Sequence, residues 1–226
     1  MMKLSFMTGR PFGMYLAYII QALVGLNVLY AVVLADVSAI SIGIAMFFMG
    51  MVPYIITKFA KIKFPWFIYF LISLAILIHL SGYIQGRYVK IPYWDNIAHF
   101  VSGFIVSLIG FLAILFIDKI RDYRMDALFI GLFTVAFGMV MEYAWEMYEF
   151  AVDTFFGGSL AGPMQANNFD TMSDMIFVFI SSVIVGLIVY SYVKKQGKEN
   201  IMQEMVGESP LFPKNSENKG ENTNRT

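Results

Sequence analysis

Six long apolar runs limit what this chain can fold into more than any other feature of it. They cover about residues 12–34, 39–57, 64–84, 97–117, a stretch from 127 onward, and 175–193. A helix needs roughly 20 consecutive apolar residues to cross a hydrocarbon core about 30 Å thick. In lipid each backbone N–H and C=O must be satisfied within the protein, so such runs cross as helices. The chain is 58% hydrophobic and 14% charged, against about 45–50% and about 25% in a soluble domain. These features predict an all-α integral membrane protein, a multi-pass bundle of six transmembrane helices in the cell membrane, forming a single domain over residues 1–195.

The first run follows Lys3 and Arg10 and ends near Val33-Leu34-Ala35, the outline of a secretory signal. Its apolar stretch of about 23 residues exceeds the ~7–15 of a signal core, so it reads as a retained helix. Residues 196–226, ending "NSENKGENTNRT", lack apolar periodicity. A segment of that kind buries too little surface to offset its ordering entropy, and reads as a disordered tail.

Lysine and arginine set the orientation of a multi-pass protein. Of 16 basic residues, only Arg87 and Lys90 fall outside the N-terminus, the second–third and fourth–fifth connections, and the segment from 194 onward. Both termini are therefore expected in the cytoplasm. No basic stripe exists for nucleic acid. With no cysteine, disulfides, thiolate metal sites and cysteine nucleophiles are excluded.

On that orientation the acids divide. Asp118, Asp122, Asp126 and the tail glutamates are cytoplasmic, while Asp36, Asp95, Glu142, Glu146, Glu149, Asp153, Asp170 and Asp174 fall on the outer side, with His79 and His99 in or near that half. In "MEYAWEMYEFAVD" the acids Glu142, Glu146, Glu149 and Asp153 fall within about a 60° arc of a helix. Glu142 lies about 22 Å along its run at 1.5 Å per residue, within the hydrocarbon. Intramembrane acids are costly and face a bundle interior or a watery cavity. "WDNIAHFVSGF" places Asp95 and His99 four apart, and Asp170 and Asp174 share that spacing at the start of the sixth run. Residues four apart share a helix face. Carboxylates so close are either partly protonated or gathered about a cation. Asp95, His99, Glu146, Glu149, Asp170 and Asp174 are the expected ligands, with Glu142 behind them. Oxygen donors with one imidazole suit Mg, Mn, Ca, Zn or Fe.

Each feature has a plainer explanation. Asp95 can cap the fourth helix, and Asp170 with Thr171-x-x-Asp174 can cap the sixth. Capping does not account for Glu142, Glu146 and Glu149, which sit toward a helix C-terminus, where the dipole disfavours acids. Asp36 and Asp153 read as loop charge, and His79 as a hydrogen-bonded interior histidine. Arg87 and Lys90 lie among Tyr83, Tyr88, Tyr93 and Trp94, an aromatic belt in which long cations snorkel. Their second reading is a clamp for a lipid phosphate.

Three segments, "WDNIAHFVSGF", "WEMYEF" and "MQANNFDTMSDM", resemble the conserved blocks of the YjdF-like inner-membrane proteins, a prokaryotic multi-pass family with no established activity. The resemblance covers roughly residues 65–190. It implicates Asp95, His99, Phe100 and Gly103, then Glu146 and Glu149, then Gln165, Asp170, Thr171, Asp174 and Met175. Ala166-Asn167-Asn168 stands where the family pattern has a glycine-containing turn. The Asp-x3-His block alone is also similar to the VanZ-like glycopeptide-resistance family.

Three functions compete. One is a metal-dependent enzyme at the outer leaflet, with His99 or Glu146 as general base and Glu142, Gln165 and Thr171 supporting the ligands. Its substrate would be a lipid or a lipid-linked envelope intermediate. Another is a cation or proton carrier, for which the inner halves of the helices offer no matching polar path. The third is a structural membrane protein whose polar cluster is a hydrogen-bonded network. The sequence does not set the oligomeric state.

Overall fold

A computed structural model describes residues 11–157, 163–206 and 209. Among these residues every regular element is a helix. Six long helices are α1 Pro11–Val33, α2 Val37–Ala60, α3 Trp66–Ile84, α5 Trp94–Arg121, α6 Ala127–Phe156 and α7 Asn168–Gln196; α4 Arg87–Lys90 is a single turn, and α8 Lys198–Val206 follows α7. All six long helices have the length and composition to cross a membrane. The protein is a multi-pass membrane protein with the six spans expected. Helices α2, α5 and α7 outrun their apolar runs at both ends because flanking turns continue the helix. The connections are closed by local devices. Asp36 accepts from the Ala39 amide and Asp126 from the Phe129 amide, each at 2.9 Å. Asn167 caps α7 through the Phe169 and Asp170 amides, and Gly157 ends α6 at φ 75°.

Helices α1, α2 and α3 pack together about Val24, Ile76 and Leu80. Buried amides tie them: Ser73 donates to Gln21 at 2.9 Å, and Gln21 donates to the Phe47 carbonyl at 3.1 Å. Helices α5, α6 and α7 form the second group, each in contact with the other two, and α3 joins it through α5. Lipid tails are as apolar as leucine, so association of these helices relies on close backbone packing. Small residues supply it. A Cβ on Gly103 would come within 3.1 Å of the Val178 Cα, and one on Gly131 or Gly186 would meet the other's carbonyl oxygen at 3.1 or 3.0 Å. Gly138 lies against Ser107 and Ser182, whose hydroxyls bond at 2.9 Å.

Successive spans alternate in direction, so charge separates by end. Lys58, Lys61, Lys63, Lys119, Arg121, Arg124, Lys194, Lys195 and Lys198 gather at one end, and Asp95, Glu142, Glu146, Glu149, Asp153, Asp170 and Asp174 at the other. Helix α8 corrects part of the expected disordered tail. It places Ile201, Met202, Met205 and Val206 in the core beneath α5 and α7, an apolar set the polar residues around it obscure. Lys198 pairs with Asp118 at 2.5 Å and donates to the Met125 carbonyl at 2.9 Å. The Lys63 amide donates to the Met205 carbonyl, and Ser209 to that of Ala60. The tail beyond it, like Lys3 and Arg10, lies outside the described residues.

Candidate functional site

At the acidic end, α5 and α7 begin where α6 finishes. His99 enters from the second turn of α5, and its Nδ1 lies 2.8 Å from Glu142 Oε1 on α6. Its Nε2 lies 3.6 Å from Asp95, one turn earlier. Two triangles meet at this imidazole. Asp95, His99 and Asp174 each bring one ligand atom within 4.8 Å of the others, and His99, Glu142 and Glu146 do the same. His99, Glu142, Glu146, Glu149 and Asp174 are all buried.

Neutral side chains hold one oxygen on each of three of these acids. Asn96 donates to Asp174 Oδ1 at 2.8 Å and to Ser173 at 2.9 Å. Trp145 donates to Glu149 at 2.7 Å, and Gln165 to Glu146 Oε2 at 2.7 Å. Glu146 Oε1 is buried and has no hydrogen-bond partner. Leaving such an atom unsatisfied costs about 1–3 kcal/mol, more if it is charged. Among the described residues no lysine or arginine pairs with Asp95, Glu142, Glu146, Glu149, Asp170 or Asp174. The basic group among them is the His99 imidazole.

The remaining expected residues take distinct places. Asp170 accepts from the Ala166 amide at 3.0 Å and so closes the start of α7. Tyr93, not Asp95, occupies the cap position of α5, which leaves the Asp95 carboxylate to His99. Thr171 lies against Glu146. Asp153 is more than loop charge: it accepts from the Met164 and Gln165 amides, at 2.8 Å each, and thereby presents Gln165 to Glu146. His79 has both nitrogens occupied, by Tyr88 at 2.7 Å and Ser102 at 2.9 Å. Desolvation, with Asp95, Glu149 and Asp174 adding to it, pushes the Tyr88 phenol well up. The phenol therefore stays protonated beside the His79 ring. Asn96, Ser173, Trp145, Tyr88 and Ser102 complete the surroundings. In the sequence, Tyr88 is marked by the aromatic belt and Trp145 by the "WEMYEF" block.

Residues 15–195 match the family described as predicted membrane protein (DUF2238). The chain belongs to that family. The matched region starts within α1 and ends within α7, so it holds all three site helices and leaves out α8. An uncharacterized protein of Thermotoga maritima is similar, 28% identical over 186 residues, covering 80% of this chain and 90% of its own length. No solved structure matches the chain.

Proposed function

We propose that the acidic end faces away from the cytoplasm, with both termini inside, and that it holds one divalent cation serving a metal-dependent enzyme of the outer leaflet. The resemblance of its three sequence blocks to the YjdF-like proteins belongs to the same reading. The carrying observation is the buried, unpartnered Glu146 Oε1 beside triangles of ligand atoms no more than 4.8 Å across.

In this reading Asp95, His99 Nε2 and Asp174 are the ligands. Glu142 accepts the Nδ1 hydrogen, as carboxylates do behind metal-bound histidines, fixing tautomer and ring orientation. Asn96 holds Asp174 in place. Two carboxylates and one imidazole suit Mg, Mn, Fe or Zn, and three protein ligands leave positions for substrate. The cation would polarise a phosphoryl or carbonyl oxygen of a lipid or lipid-linked envelope intermediate. With both His99 nitrogens engaged, the general base is Glu146, whose free oxygen takes a proton from water or a substrate hydroxyl. Gln165 and Thr171 orient it. Glu149 and Asp170 lie one turn further out and set the local potential.

The network reading has its own support, since Asn96, Trp145, Gln165 and His99 already bond four of the acids. A carrier has less: beneath the site the bundle interior closes on Ile114, Leu115, Ile130 and Val185, all buried. Elemental analysis of purified protein separates these readings. Stoichiometric metal in wild type, lost in His99→Ala and Asp174→Asn, is expected. No metal, with thermal stability indifferent to Mg, Mn, Ca and Zn, would leave the hydrogen-bonded network as the account. Mass spectrometry of lipid extract incubated with the metal-loaded protein tests the catalytic part. A product formed by wild type and absent with Glu146→Gln is expected.

A further inference from the structure

The acidic end carries two cations, and neither is spent on the acids. Arg87 donates twice to Gln85 Oε1, at 2.9 and 2.7 Å, and lies 4.8 Å over the Trp94 ring. Lys90 donates to the Gln85 carbonyl at 3.0 Å. Gln85 donates in turn to Asn27 at 2.8 Å, tying α1 to the turn after α3. This assembly borders a cavity of about 600 Å³ whose walls include Tyr30, Leu34, Tyr83, Ile84, Gln85 and Lys90. That volume is within the range of about 300–1,000 Å³ typical of small-molecule sites.

The lining has two characters. Leu34 and Ile84 are apolar, at the ends of α1 and α3. Tyr30, Tyr83 and Lys90 are donors. An ammonium has three N–H groups, of which Gln85 takes one. Among the described residues neither Tyr30 nor Tyr83 has a hydrogen-bond partner for its hydroxyl. Asp36 acts on Tyr83 from the α1–α2 turn, but one of its oxygens is held by the Ala39 amide. The arrangement has one ammonium with no ion pair among the described residues, two neutral donors and an apolar flank, at the level where spans meet the headgroups.

We infer that this cavity binds the phosphate of an anionic lipid headgroup. Lys90 supplies the counter-charge, Tyr30 and Tyr83 donate to the phosphate oxygens, and Leu34 and Ile84 contact the start of the acyl chains. The site is separate from the His99 cluster and does not depend on a metal there.

The test uses the full chain in detergent, titrated with short-chain phosphatidylglycerol, phosphatidylcholine or inorganic phosphate and read by native mass spectrometry and thermal shift. Phosphatidylglycerol should remain bound and raise the midpoint, while phosphatidylcholine and inorganic phosphate do neither at equal concentration. Lys90→Gln should weaken phosphatidylglycerol about tenfold, the scale of one lost charge-assisted hydrogen bond. Tyr83→Phe should weaken it less, and both variants should keep wild-type helicity and metal content. Equal binding of phosphatidylcholine, or unchanged affinity in Lys90→Gln, overturns the proposal. A shift given equally by inorganic phosphate overturns its lipid assignment.

Discussion

His99 on α5 and Glu142 on α6 meet at 2.8 Å, with side chains only 5% and 7% exposed. Truncating one member of such a pair leaves the other buried and unpaired, which costs about 3–5 kcal/mol. Glu142→Ala should therefore lower the thermal midpoint sharply. Glu142→Gln keeps an acceptor for the imidazole and should fold near normally, with metal affinity reduced about 10–100-fold. Metal titration of both variants in detergent checks this. Unchanged affinity in Glu142→Gln would remove the orienting role.

Orientation is testable because the chain has no cysteine. Val89→Cys, at a position 92% exposed on the acidic end, should react with an impermeant maleimide added to intact cells. Arg124→Cys, in the basic connection, should react only after permeabilisation. The reverse pattern would place the His99 cluster at the cytoplasmic face.

Helix α8 should stabilise the bundle. Met205 is 1% exposed, and Met205→Ala is expected to cost about 2–5 kcal/mol, the usual range for emptying a core position. A double-mutant cycle on Lys198 and Asp118 should give a coupling above the ~0–1 kcal/mol of a surface ion pair, since those side chains are 16% and 7% exposed. A stop after Gly197 that left the midpoint unchanged would contradict the packing described.

Gly138 lies where no side chain fits, between the hydroxyls of Ser107 and Ser182. Gly138→Val should overpack the α5–α6–α7 contact by about 1–3 kcal/mol and loosen the proposed metal site above it. Gly25→Ala, whose new carbon would sit 3.5 Å from Phe47, is the tolerant control. Equal midpoints for the two variants would show that the contact has slack.

Much of the architecture is legible in the chain because bilayer thickness turns apolar run length into a span. Glu142, Glu146 and Glu149 could be placed on one face because helical period alone fixes that, and all three are buried. The partners of those acids were not legible. Asn96 beside a helix start looks like any capping amide, and that it bonds Asp174 depends on how α5 meets α7, 78 residues further on. The division between Asp170 and Asp174 was hidden for a related reason. The two share a face, but only backbone geometry shows the first turned to the Ala166 amide and the second toward His99. Helix α8 escaped because its apolar stripe is short and diluted by charge, so its order comes from a docking surface made by distant spans.

One imidazole stands at the corner of both ligand triangles, and this makes the triangles rivals. An ion drawing on His99 in one removes that vertex from the other, and the nitrogen turned to Glu142 is already spent. Calorimetric titration with Mn or Zn should therefore saturate at a single equivalent per chain. At that stoichiometry any second pole of charge would come from the protein or the substrate.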